Sequence, residues 1–252
     1  MSLLEITLLA VTGFAAGLVN AVAGGGTFFT FAAMVGFGMP TLNANATSAV
    51  ALVPGSLAST VAYAKETRKN WRRAVPFVLL GLFGGIAGGY LLIRIGDEGF
   101  RPMVPWLIGI ATLTFAFGAR IRAFSAGLEG RHSAAMRAAA FALMGLVGIY
   151  GGFFGAGMGI MLLATLSIIG ISEFHTANAL KNIVATLSQA VAVVLFVANG
   201  LVFWREAAIV TAAGIAGGYL GVMAARRVPE PVVRGIVVAV GAALTVVFFF
   251  RG

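Results

Sequence analysis

The chain has 252 residues, 60% of them apolar and only 10% charged, with a mean hydropathy of +1.01; soluble domains carry roughly 25% charged residues, so no water-facing surface can be built from it. It has no cysteine, which excludes disulfides, thiolate chemistry and cysteine-ligated zinc, and two histidines without clustered carboxylates argue against any metal site. The net charge of +9 sits in short loops between apolar stretches, where bases set orientation in a membrane rather than bind nucleic acid.

Met1 to Glu5 has no basic leader and runs straight into apolar sequence, so a retained membrane segment is expected rather than a cleaved signal peptide. Apolar stretches follow at 3–23, 27–39, 43–64, 74–95 and 103–119, and again at 138–154, 158–171, 177–199, 207–225 and 231–250. Crossing a bilayer takes about 20 helical residues. The stretches 74–95 and 207–225 meet that length, whereas 27–39 and 158–171, of 13 and 14 residues, are too short. Each short stretch follows a glycine-dense break, Gly24-Gly25-Gly26 or Gly151 to Gly157, so broken or hairpin helices are predicted at both places.

The two sets of five are copies. Ile86-Ala-Gly-Gly-Tyr-Leu91 recurs letter for letter as Ile215 to Leu220, a shift of 129 residues. Trp71-Arg-Arg-Ala74 answers Trp204-Arg-Glu-Ala207 at 133, and Gly24 to Gly26 answers Gly155-Ala156-Gly157 at 131. Duplication in a strongly apolar chain is the usual build of a transporter, with ligand held where the halves meet.

Loop charge predicts how the copies are oriented. Lys65 to Arg73 carries five bases and one acid, which marks it as cytoplasmic, whereas its counterpart Asn199 to Glu206 carries one of each. The next pair behaves oppositely: Arg94 to Arg101 is balanced by Asp97 and Glu98, and Arg226-Arg227-Val228-Pro229-Glu230 has an excess of base. Equivalent loops facing opposite sides define an inverted repeat, with both termini outward; four crossings per half in parallel orientation is the rival arrangement. The expected architecture is an all-α polytopic membrane protein with two pseudo-symmetric halves of about five helical segments each. An N-terminal repeat covers 1–119, a cytoplasmic connecting loop 120–137, and a C-terminal repeat 138–252.

Gly17-Leu-Val-Asn20-Ala-Val-Ala-Gly24-Gly-Gly26-Thr27, the run Asn43-Ala-Asn45-Ala-Thr47-Ser48, and Gly148-Ile-Tyr-Gly151-Gly-Phe-Phe-Gly155-Ala-Gly157 followed by Ala177-Asn178-Ala-Leu-Lys181-Asn182 together resemble the TauE/SafE family of membrane transporters. The resemblance runs through both repeats. It implies transport of a sulfur-containing or organic anion, the family being linked to export of sulfite and sulfoacetate. Ser48 stands where the family pattern often has asparagine.

The residues themselves point the same way. A helix that begins inside a membrane exposes backbone N–H groups and a positive dipole end, which an anion can satisfy. Glycine at the break lets backbone approach the ligand, and Thr27 adds a hydroxyl. Gly88-Gly89 and Gly217-Gly218 read instead as close helix packing, the competing use of small residues. Asn178, Lys181, Asn182 and Gln189 share one helical face, a polar stripe that must avoid lipid. Interhelical hydrogen bonding explains any single member of the stripe, and a cavity wall explains the set. No Asp or Glu falls in the middle of an apolar stretch, so Lys181 is a base in a setting that suits an anionic ligand; the alternative is a side chain snorkelling to the interface. Trp71 and Trp204 read as interfacial anchors.

The expected substrate-binding set is Asn20, Gly24, Gly25, Gly26, Thr27, Asn45, Thr47, Ser48, Gly155, Gly157, Asn178, Lys181, Asn182 and Gln189. No catalytic residue, metal or cofactor is assigned, because the glycine runs match neither GxGxxG nor a P-loop and no Ser/His/Asp group or aspartate pair stands out. The expected function is secondary transport of a small anion, sulfite or an organosulfonate or other organic anion, by alternating access. A passive anion channel and an intramembrane enzyme are the alternatives. The expected surroundings are a cell membrane crossed several times and a small anionic substrate. A proton is the candidate coupling ion, with Glu173 and His175 either its carriers or, on the reading their position favours, part of an ordinary polar loop; a homodimer is the candidate assembly, and nucleic acid has no place.

Overall fold

A computed structural model describes residues 1–22, 25–126, 134–171, 173–225 and 230–251, and among these there is no strand. The helices are α1 (Leu3–Val22), α2 (Thr27–Gly36), α3 (Thr41–Ala62), α4 (Ala64–Lys69), α5 (Trp71–Phe100), α6 (Val104–Ala126), α7 (Ala134–Phe153), α8 (Met158–Ile168), α9 (Phe174–Ala198), α10 (Trp204–Ala225) and α11 (Glu230–Arg251). Every expected apolar stretch is a helix, and the basic loop contributes the short α4 as well. Leu3–Asn20, His175–Ala198 and the stretch Trp71–Gly118, which runs through α5 and α6, are long and apolar enough to cross a bilayer. Large apolar side chains such as Phe83, Trp106, Leu113 and Phe250 point outward, where hydrocarbon is the solvent they suit. The chain is an all-α membrane protein.

Helix packing follows the internal repeat. α1 and α7 start 131 residues apart (3 and 134), as do α2 and α8 (27 and 158), while α3 and α9 (41 and 174) and α5 and α10 (71 and 204) are 133 apart. α1 lies along α10, and its counterpart α7 lies along α5. In the same exchanged manner α3 packs on α10 and α9 on α5; α3 and α9 also meet each other, and α6 packs against α11.

Small residues make these exchanged contacts close. A Cβ on Gly88 would strike the Ile149 carbonyl oxygen, and one on Gly217 would strike the Phe14 carbonyl oxygen. The repeated Ile-Ala-Gly-Gly-Tyr-Leu motif therefore sits against the first long helix of the other copy. Lipid tails are as apolar as Leu, so helices in a membrane associate by such backbone proximity and dispersion rather than by hydrophobic burial.

The short helices are held by aromatic packing. Phe28, Phe31 and Met34 of α2 are fully buried; Phe31 meets Phe154 edge to face at 5.7 Å and stacks on Phe248 at 5.8 Å. α8 buries Met158, Leu162 and Leu166 against Phe77, Met144 and Leu180. Such aromatic pairs contribute about 0.5–1.5 kcal/mol each beyond area burial.

The expected loop from Arg94 to Arg101 is instead largely the end of α5, kinked at Gly96, where φ is 69°. Asp97 is there for a reason the loop reading missed. Its Oδ1 accepts hydrogen bonds from Thr41 Oγ1 at 2.8 Å and from the Leu42 amide at 2.7 Å, capping α3, whose own N-cap position is Pro40. In α9 the corresponding job falls to Glu173, which accepts from the amides of His175 and Thr176 at 3.0 and 2.7 Å.

Gly88→Ala and Gly217→Ala are predicted to destabilise the protein by about 1–3 kcal/mol each, the usual cost of overpacking. Gly145→Ala, at a helical position with open space around it, should be neutral or slightly stabilising. Thermal unfolding of the three variants in detergent checks the contrast.

Candidate functional site

Two interruptions of the helical backbone build the site. Between α1 and α2 the chain turns at Gly25, with φ of 93°, and Asn20 Oδ1 accepts from the Gly26 amide at 2.8 Å. Between α7 and α8 it turns at Gly155 and Gly157, with φ of 79° and 78°, and the Tyr150 hydroxyl donates to the Ala156 carbonyl at 2.7 Å. In each copy a side chain from the last turn of the long helix reaches six residues ahead and pins the break. A left-handed backbone at these positions favours glycine, and at Gly25 a Cβ would also collide with the Phe115 ring. Gly24 lies outside the described residues.

The short helices begin without side-chain caps. The Phe28, Phe29, Met158 and Ile160 amides bond back to the Gly25, Gly26, Gly155 and Gly157 carbonyls, and each start keeps the positive end of its helix dipole. Both starts open on one cavity of about 440 Å³: Gly25 and Thr27 line it from α2, and Gly155, Met158 and Gly159 from α8. α1 contributes Gly17 and Asn20, α10 contributes Gly214, Gly218 and Tyr219, and α9 contributes Lys181, Asn182, Thr186 and Gln189. Lys181 is 7% exposed although it carries an ammonium. Since Asn20 spends its oxygen on Gly26, the group it can offer the cavity is its NH2. No Asp or Glu is among the lining residues. The wall is rich in donors and cationic, a setting for an anion.

Seven of the expected residues thus line one space: Asn20, Gly25, Thr27, Gly155, Lys181, Asn182 and Gln189. The others sit elsewhere. The Gly26 amide is bound to Asn20, and Gly157 faces Ala111 and Phe115. Asn178 is on α9 one turn before Lys181 and is not in the wall. The run 43–48 is mainly structural: Thr47 Oγ1 accepts from the Phe203 amide at 3.1 Å, Asn43 donates to the Leu201 carbonyl at 2.9 Å, and Ser48 Oγ lies 3.6 Å from Met34 Sδ. Those bonds tie α3 to the α9–α10 connection and to α2. Asn45 donates to the Phe153 carbonyl at 3.0 Å and borders a separate, smaller cavity.

Sequence reasoning missed Ser56, Ser59 and Thr186, which line the main cavity where α3 and α9 meet. Thr60 and Thr186 are hydrogen bonded at 2.9 Å, and Thr186 reaches the Ser56 carbonyl at 3.2 Å. A signal was present: Ser56 and Ser59 are one turn apart just after Pro54 within α3, and Thr186 continues the stripe four residues beyond Asn182.

The family model described as sulfite exporter TauE/SafE matches residues 9–248, so the chain belongs to the TauE/SafE family. It is similar to a "Probable membrane transporter protein" of Haemophilus influenzae, 30% identical over 95% of this chain and 92% of that protein. It is also similar to "Probable membrane transporter protein ORF9" of a Sinorhizobium species, at 25% identity over 96% of this chain and 91% of that protein, and to "Probable membrane transporter protein YfcA" of Escherichia coli K12, at 24% over 97% and 90%. The family model and these relatives are named as membrane transporters.

Glu173 is exposed at the mouth of α9, and its carboxyl is held down to about 2 by a hydrogen bond from the Thr176 side chain and by the amides of His175 and Thr176. It is therefore ionised throughout the neutral range. A depressed folded-state value means that its stabilising contribution is complete above the ordinary value of 4.5 and is lost as pH falls through about 2. The gap in thermal midpoint between wild type and Glu173→Ala should stay level from about pH 7 to 5 and close on approaching pH 2.

Proposed function

We propose that the protein is a secondary transporter that carries a small anion, sulfite or an organosulfonate, across a cell membrane by alternating access. The observation that carries this reading is the convergence of Lys181 and the uncapped starts of α2 and α8 on one cavity. An oxyanion placed there meets backbone N–H groups from both breaks, the Thr27 hydroxyl, the Asn20, Asn182 and Gln189 amides, and one ammonium. Hydrogen bonds to charged groups are roughly twice as strong as neutral ones, which offsets the cost of stripping water from the anion. The volume of about 440 Å³ lies within the range of small-molecule sites, about 300–1,000 Å³, and leaves room for an organic tail beside a sulfonate.

The halves 1–119 and 138–252 are the moving parts, inverted with respect to one another as the loop charges suggest, with 120–137 joining them on the cytoplasmic side. Exchanged packing of α1 on α10 and α7 on α5 supports a pair of related units with the site between them. Rocking one about the other opens the cavity to alternate sides.

Proteoliposomes carrying wild-type protein should take up radiolabelled sulfite or sulfoacetate saturably and show counterflow. Lys181→Met is expected to lower uptake about 100-fold, in line with a loss of about 3 kcal/mol for one partner of a buried charge pair, while thermal unfolding shows a folded protein. Undiminished uptake in Lys181→Met removes the residue from the site. Non-saturable flux without counterflow replaces the carrier with a channel.

A further inference from the structure

The two exchanged helix pairs are not packed alike. α9 lies against α5 along three successive turns: a Cβ on Gly81 would come 2.9 Å from Val184 Cγ1, one on Gly85 would strike the Ser188 carbonyl oxygen, and one on Gly89 would come 3.2 Å from Ala192 Cβ. The repeated motif makes Gly214 and Gly218 of α10 the counterparts of Gly85 and Gly89. The 133-residue shift between α3 and α9 makes Ala51, Gly55 and Ser59 the counterparts of Val184, Ser188 and Ala192. In this second pair the contact is lost after one turn. Thr211 Oγ1 donates to the Ala51 carbonyl at 3.2 Å, but a Cβ on Gly214 would reach only Leu52 Cδ2 of α3, at 4.0 Å, and one on Gly218 would reach no described atom of α3 within 4 Å. A Cβ on Gly55 would meet nothing within that distance. Gly55, Ser59, Gly214 and Gly218 all line the main cavity, as do Ile215 and Tyr219, which are 51% and 73% exposed. The mouth of the cavity therefore lies between α3 and α10.

The two helices part where α3 carries Pro54. Proline offers no N–H to the Val50 carbonyl four residues back, and its ring crowds that carbonyl, which weakens or kinks a helix at that point. Beyond it Ser56, Ser59 and Thr60 bond back to the carbonyls of Leu52, Gly55 and Ser56, contacts that further bend and loosen a helix. α9 contains neither proline nor glycine and stays on α5. The second half of α3 is held on α9 instead, by the 2.9 Å bond between Thr60 and Thr186 and the 3.2 Å bond from Thr186 to the Ser56 carbonyl.

We propose that residues 55–62 of α3 form a gate hinged at Pro54, open in this structure, which closes by leaving Thr186 and seating Gly55 on Gly214 and Ser59 on Gly218. The closed form copies the seal already present in the other pair, where Ser188 sits on Gly85 and Ala192 on Gly89. Glycine on α10 leaves the room for it, since small residues let helix backbones approach closely. α3 ends at the basic loop Lys65 to Arg73, so by its charge the open mouth faces the cytoplasm. The hinge stands on the packing of these helices; its use as a gate rests on the transport reading above.

The chain has no cysteine, so paired thiols can be introduced without background. In purified Ser59→Cys/Gly218→Cys, copper phenanthroline should form a disulfide, read as loss of both thiols to PEG-maleimide, because closure brings the Cβ atoms within the about 4.5 Å that a disulfide needs. Adding Pro54→Ala, which restores the hydrogen bond to Val50, should slow cross-linking about tenfold. In proteoliposomes the cross-link should stop uptake of labelled sulfite or sulfoacetate, and reduction should restore it. Ser59→Cys/Tyr219→Cys serves if the Gly218 variant does not fold. No disulfide in either pair, a rate that Pro54→Ala leaves unchanged, or full uptake by the cross-linked protein overturns the gate. Cross-linking that depends on Pro54 in a protein that transports no anion before oxidation overturns the transport reading and leaves the hinge standing.

Discussion

A helix that starts inside a bilayer has backbone amides that lipid cannot satisfy, and this chain has two short apolar helices, α2 and α8, that start at glycine breaks. Each unsatisfied group in hydrocarbon costs several kcal/mol, so the two starts persist only if something polar faces them. The surrounding structure is arranged to keep them open and facing inward. Asn20 and Tyr150 pin the turns from outside the helices they precede; no side chain caps α2 or α8, and the Phe28, Phe29, Met158 and Ile160 amides bond back to carbonyls of the turns. Buried phenylalanines fix the short helices in place, and glycine at Gly25 and Gly155 lets the chain turn sharply enough to aim both starts into one space. Lys181 on α9 completes the positive wall.

The same duplication that supplies two breaks also supplies the frame. The first long helix of each copy is clasped by the glycine motif of the other, α1 by α10 and α7 by α5, so neither copy is packed against itself alone. Close glycine contacts make these pairs stiff. Between them, α3 and α9 meet through the hydroxyls of Thr60 and Thr186 and the carbonyl of Ser56, contacts that break and re-form at small cost compared with a fused backbone seam.

Much of this was legible because it follows from local rules. The copied Ile-Ala-Gly-Gly-Tyr-Leu segment, stretches too short to span, and a lysine on a polar helical stripe are readable from spacing alone. What was not legible depends on which helix lies opposite. The run Asn43 to Ser48 looks like a cavity wall in one dimension, yet Asn43 and Thr47 face Leu201 and Phe203, more than a hundred residues away. Asp97 reads as a loop charge until Thr41 and Leu42 are brought against it. Ser56 and Ser59 are spaced one turn apart, but that spacing does not decide their use, because a serine in an apolar helix bonds equally well to its own backbone, as both do. Long-range partners decide these cases, and periodicity carries no information about them.

The most direct measurement is the position of a bound anion. Selenite is a heavier analogue of sulfite, and crystals grown with it can be measured at the selenium absorption edge. The account predicts one anomalous peak in the main cavity, within hydrogen-bonding distance of the Lys181 ammonium and of the amides that open α2 and α8. A peak at the protein surface, or in the membrane-exposed periphery with the cavity left without one, would contradict it.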